Sequence, residues 1–121
     1  MKSQELPIYR ASWDMVKQME HYIRNFPREA KYSHGAKLRE LGIDFVRVIC
    51  LANECRDKSV RLAYLDEAVG ILEAYRFTKR LAMEFKYLSL NQAAKVDVHL
   101  ASVGQQLGGW RNKMAGQSCV G

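Results

Sequence analysis

The sequence predicts an all-α protein, an antiparallel up-down-up-down four-helix bundle, and three observations carry that prediction. Apolar residues recur three and four positions apart almost everywhere, the period of a helix with one buried face. No Val/Ile/Thr-rich alternating run lies between turn residues, so strand signals are absent. The breaks between periodic segments are short, as neighbouring antiparallel helices require. At 121 residues, 48% of them hydrophobic, the chain is one domain's worth and holds a single core without disulfides or metals.

The first helix is predicted from about Ala11 to Asn25, with Met15, Met19, Tyr22 and Phe26 on one face. Pro27 forces an exit because it disfavours helical geometry in the residue before it. "FPREAKYSHG" then reads as a loop, and Ser33 as the cap of a second helix reaching about Arg56. Leu38, Leu41, Phe45, Val48, Ala52 and Cys55 form its buried stripe.

"RDKS" is the next break, with Ser59 expected to cap a third helix from Val60 to about Tyr87. Asn91 is expected to cap the fourth, whose seam is Ala93, Val96, Leu100, Val103 and Leu107. Gly108 and Gly109 supply a left-handed stop. Trp110 then packs across a bundle end or a subunit seam, while Arg111 and Lys113 sit at the helix's negative terminus, where a cation is favourable by about 0.3–1 kcal/mol. Residues 1–113 form the bundle and 114–121 a short flexible tail, to which no function is assigned.

The fourth helix is nearly uncharged, Lys95 and Asp97 excepted, and small residues such as Ala94, Ala101, Ser102 and Gly104 permit close approach of a neighbour. Such depletion suits an association surface, with Leu107 and Trp110 as its candidate residues at an oligomer interface or bundle end. It equally suits a helix central in its own bundle.

Nineteen Lys and Arg face thirteen Asp and Glu, a formal charge of +6, which favours acidic partners. No apolar run is long enough to span a membrane, and "MKSQELPIYR" lacks the apolar region of a signal peptide, so a cytoplasmic protein without a membrane partner is expected. Cys50 and Cys55 are five apart, about 140° around a helix, and read as small buried hydrophobes. Cys119 lies in the tail, either reactive or merely disordered.

The third helix carries the most information. Tyr64, Ala68, Ile71, Tyr75, Thr78, Ala82 and Phe85 can be core. A second stripe begins Leu62, Leu65, Val69, Leu72 and continues Arg76, Lys79, Met83, Lys86. Burying unpaired cations costs several kcal/mol each, roughly, so that half of the face must leave the core or meet acidic groups. Arg80 widens the patch. Arg28, Lys37, Arg39 and Arg47 can join it, with aromatics interleaved only loosely. A phosphate-tracking surface suits such charge, and so does a solvated face with its stems lying on the bundle.

Catalytic constellations are missing from the sequence. None of His21, His34 or His99 follows a Glu by three, which excludes the repeated Glu-x-x-His of a di-iron bundle. GxxxxGK[ST], HExxH and GxSxG do not occur. No enzyme, no metal and no cofactor are expected.

"FPREAKYSHGAKLRELG", "AYRFTKRLAMEFKYLS" and "LGGWRN", in this order and spacing, resemble the accessory variability determinant proteins of diversity-generating retroelements. Those proteins are related to the four-helix proteins encoded in intervening sequences of bacterial large-subunit ribosomal RNA. The resemblance covers about residues 6–113. It implies a basic homopentameric barrel without catalytic activity. Its partners would be the retroelement's reverse transcriptase and template-repeat RNA or RNA/DNA hybrid, and its task the support of mutagenic cDNA synthesis. The family's cationic stretch maps onto Arg76, Lys79 and Arg80. Membership of the intervening-sequence branch would instead imply a nucleic-acid or protein-binding adaptor.

Overall fold

The computed structural model describes the backbone of residues 1–120 and the side chains of residues 1–116, so Cys119 lies outside the described residues. Every regular element described is helical. A 3-10 turn (Ser3–Glu5) precedes α1 (Pro7–Ile23). Next come α2 (Arg28–Ala30), a π-helical turn (Lys31–Gly35) and α3 (Ala36–Glu54), without a break between them. The chain continues through α4 (Lys58–Glu84) and α5 (Leu90–Val120). Each of the four long helices packs on two others, in the cyclic order α1, α3, α4, α5. Cross-helix partners such as Lys79 with Asp97 and Asp66 with Arg111 run in opposite directions along α4 and α5. Short connections and antiparallel neighbours make this a four-helix bundle.

Apart from Cys55, which is half-buried, the predicted seams of α1, α3 and α5 are observed core. Met15, Met19, Tyr22 and Phe26 are buried, as are Leu38, Leu41, Phe45, Val48 and Ala52, and the whole α5 seam from Ala93 to Leu107. On α4 the two stripes meet at Leu65, Ala68, Leu72, Tyr75, Thr78 and Ala82, all buried. Burial of a Leu, Ile or Phe side chain contributes roughly 1.5–3 kcal/mol, which is why these stripes, more than local propensity, decide where the helices lie. No described helix is long and apolar enough to cross a membrane.

Helix ends depart from the sequence reading. Helix α1 begins at Pro7, whose missing N–H costs nothing in a first turn, and stops at Ile23. Asp57, not Ser59, caps α4: its Oδ1 accepts from the backbone N–H groups of Ser59 at 2.9 Å and Val60 at 3.1 Å. These bonds, that from the Ser59 hydroxyl foremost, hold the Asp57 carboxyl below its ordinary range. Ser89 caps α5 instead of Asn91. Its hydroxyl accepts from Gln92 N–H while the Gln92 amide oxygen accepts from Ser89 N–H, a reciprocal capping box.

The stretch read as a loop is helical from Arg28 onward. Ser33 lies inside it, its hydroxyl donating back to the Glu29 carbonyl, and is not a cap. Gly35 is buried where a Cβ would stand 2.8 Å from Ile23 Cγ2 and 3.2 Å from the Ala30 carbonyl oxygen, so this glycine serves close packing. The pair Gly108–Gly109 is no stop either. No described glycine has a positive φ, and α5 runs on through Trp110 and Arg111. Leu107, Trp110 and Met114 extend the seam at the helical period, and that burial outweighs the roughly 1 kcal/mol each glycine costs a helix.

Candidate nucleic-acid interface

Two of the three cations expected to lead the charged face are engaged within the bundle. Lys79 Nζ donates to Asp97 Oδ1 at 2.6 Å, and the Lys79 side chain is only 11% exposed. Arg76 donates to Glu73 Oε1 at 2.8 Å and to the Leu100 carbonyl at 3.3 Å, lying over Gly104 so closely that a Cβ there would stand 2.6 Å from Nη2. The face meets acidic and carbonyl groups of its own fold, which is how it tolerates partial burial. Arg111 completes the α4–α5 seam by pairing with Asp66, and so does not sit at a helix terminus as expected.

The remaining predicted residues divide into paired and unpaired. Arg39 grips Glu20 with two bonds, Nε to Oε2 at 2.7 Å and Nη2 to Oε1 at 3.0 Å, across α1 and α3. That hydrogen bonding holds the Glu20 carboxyl below its ordinary range and raises the Arg39 guanidinium's. Arg47 lies 3.6 Å from Asp44, and Arg80, largely exposed, 3.7 Å from Glu84. Arg28, Lys37 and Lys86 are exposed, and none has a carboxylate within ion-pair distance among the described residues. All three belong to one end of the bundle, where α1 leads into α2 and α4 into α5.

Leu107 is 1% exposed, covered by its own bundle, and is therefore a core residue and not an interface one. Trp110 is half-buried against the same core.

Lys86 has an unusual backbone. Helix α4 ends with Phe85 as cap and Lys86 at φ 65°, the left-handed region that glycine ordinarily fills. Lys86 N–H reaches the Met83 carbonyl at 3.0 Å and Tyr87 N–H the Ala82 carbonyl at 2.8 Å, the paired bonds of a Schellman ending. The reversal carries Phe85 out of the core, leaving it 58% exposed where the periodic pattern predicts burial.

Around that turn lies an aromatic group the sequence reading missed. His34 has its ring centroid 5.7 Å from Phe85 and 5.3 Å from Tyr87; Phe85 and Tyr87 are 5.9 Å apart, and Phe26 is 5.8 Å from Tyr87. Only "FKY" hints at it in the sequence, since the four rings come from three separate segments.

A second surface feature is an apolar groove of about 480 Å³ along α1 and α3, lined among others by Trp13, Val16, Ile43 and Tyr75. Trp13 and Ile43 are 54% and 64% exposed. Gly42 lets the two helices close beneath it, for a Cβ there would stand 2.9 Å from Val16 Cγ2. Among the described residues, no group of three His, Cys, Asp or Glu side chains could hold a metal ion, and the thiols of Cys50 and Cys55 are free and half-buried.

No curated protein matches the chain. The family described as bAvd-like matches residues 8–114, from the first turn of α1 to Met114 of α5, and thus covers every helix of the bundle. The chain therefore belongs to the bAvd-like family of Avd-type accessory proteins.

Proposed function

We propose that this protein is the non-catalytic accessory subunit of a diversity-generating retroelement, binding its reverse transcriptase and its template-repeat RNA, or RNA/DNA hybrid, to support mutagenic cDNA synthesis. Family membership supports the accessory role. The observation that carries nucleic-acid binding is the set of unpaired cations Arg28, Lys37 and Lys86 at one bundle end. Arg76 and Lys79, already satisfied internally, hold α4 to α5 and contribute to the field more than to contact. Contacts to phosphate would set position and affinity without reading base edges.

The accessory subunit acts as a homopentamer, as the family resemblance implies. Exposed Trp13 and Ile43 on the α1/α3 side and exposed Phe77 and Val98 on the α4/α5 side offer apolar surface to neighbouring copies. These sides are opposite in the cyclic helix order, so joining one to the other is a head-to-tail contact that can close into a ring. Repetition around a ring multiplies weak phosphate contacts by raising effective concentration.

RNA affinity over a salt series tests the reading, with native protein beside Arg28→Glu/Lys37→Glu/Lys86→Glu. Native binding that falls steeply with salt, together with a weakened and flatter response in the variant at unchanged helix content, is the expected result. Equal binding by both would move the interface elsewhere. Absence of binding by either would leave the reverse transcriptase as the partner, to be tested by co-purification.

A further inference from the structure

We propose that the α2/α4 end of the bundle is a stacking site for unpaired bases of single-stranded RNA, with Phe85 as the platform and Lys86, Lys37 and Arg28 holding the flanking phosphates. The inference rests on the reading that the protein binds RNA, and adds to it which form of RNA is taken and by which side chains.

Three independent observations converge there. Phe85 is a large aromatic ring, 58% exposed, backed by Tyr87 at 5.9 Å and His34 at 5.7 Å, so one side is buttressed while more than half its surface meets solvent. A ring held in that way loses little freedom when a base stacks on it. Tyr32, in the neighbouring π-helical turn, is 76% exposed and supplies a second ring at the same end.

The charge around the rings is unbalanced in the direction a polyanion needs. Arg28, Lys31, Lys37 and Lys86 carry no ion pair among the described residues; the acids of this end are Glu20, Glu29, Glu40 and Glu84, of which Glu20 already has Arg39 and Glu84 has Arg80 at 3.7 Å. Aromatic faces set among such cations are the arrangement by which single strands are bound without sequence preference. A duplex keeps its bases stacked inside and offers a free face only at its two terminal pairs.

The third observation is Lys86 itself. A non-glycine residue at φ 65° carries backbone strain that glycine would relieve. The residue placed there sits between Phe85 and Tyr87, and its side chain is exposed. The strained position thus sets an ammonium beside the ring platform.

The test is direct binding of a single-stranded RNA oligonucleotide and of a blunt duplex of the same length, at one salt concentration, to four proteins: native, Phe85→Leu, Phe85→Trp and Lys86→Gly. Native protein should prefer the single strand. Phe85→Leu should weaken single-strand binding by between about fivefold and a hundredfold, the worth of one base–aromatic stack, with duplex binding unchanged. Phe85→Trp should retain the affinity, and its added indole emission should be quenched by the single strand alone. Lys86→Gly should melt at a higher temperature yet bind the single strand more weakly. If single strand and duplex bind alike, or Phe85→Leu binds as tightly as native, the stacking site is overturned while RNA binding stands. If native protein binds neither RNA, both readings fall together.

Discussion

The ammonium of Lys79 meets the carboxylate of Asp97 at 2.6 Å, and the two are unequal partners: the lysine side chain is 11% exposed and the aspartate 55%. Nearly all the desolvation falls on the cation. Removing the carboxylate strands a buried charge, whereas removing both leaves an apolar gap. Asp97→Ala is expected to lower unfolding stability by roughly 1–3 kcal/mol, the cost of an unsatisfied buried donor, and Lys79→Met/Asp97→Ala to recover most of that loss. Urea unfolding of the native, single and double variants forms the cycle that checks it.

Gly108 and Gly109 lie within α5 with nothing within 4 Å of the position a Cβ would take, and neither has a positive φ. Alanine at either position should therefore raise stability by roughly 0.5–1 kcal/mol through helix propensity and a less flexible unfolded chain. Had the pair formed a left-handed stop, alanine would lower it. A shift in the denaturant midpoint gives the sign.

The Glu20–Arg39 clasp makes stability depend on acid. Because Glu20 titrates lower in the folded protein than in the unfolded chain, its contribution is present above the unfolded value of 4.5 and is lost as pH falls through the lower folded value. Both side chains are more than a third exposed, so solvent screening keeps the contribution below about 1 kcal/mol. Glu20→Gln should flatten the loss of melting temperature below pH 4.5 relative to native protein.

Self-association should depend on the α1/α3 groove. Trp13 and Ile43 are exposed, so Trp13→Glu or Ile43→Glu should leave the bundle folded while lowering the mass seen by light scattering. Unchanged mass with either variant would place the subunit contact on another face.

The sequence made the seams legible because each is a long run at one period: Val96, Leu100, Val103 and Leu107 permit one buried face and no other. It also showed that the stripe holding Lys79 had to leave the core or meet acidic groups, since it placed cations where aliphatic residues were due. Which acid required the register of α4 against α5, and that is a tertiary fact. Asp57 and Ser59 are both good caps two residues apart, so propensity alone did not separate them. The glycine pair was misread because glycine both ends helices and is carried inside them; the packing of Leu107 and Met114 decided. The aromatic end was hidden because Phe26, His34, Phe85 and Tyr87 are brought together only by folding.

The π-helical turn at Lys31–Gly35 is a slack turn between α2 and α3. Helices turn by about 100° per residue, and a widened turn takes up one extra residue without rotating the segment before it relative to the segment after. Excising one residue from this turn would leave both the α3 seam and Arg28 in place, whereas the same deletion from a regular stretch of α3 would swing Arg28 about 100° around the helix axis. The bundle end thus holds a spare residue at which its length can change without turning its charge.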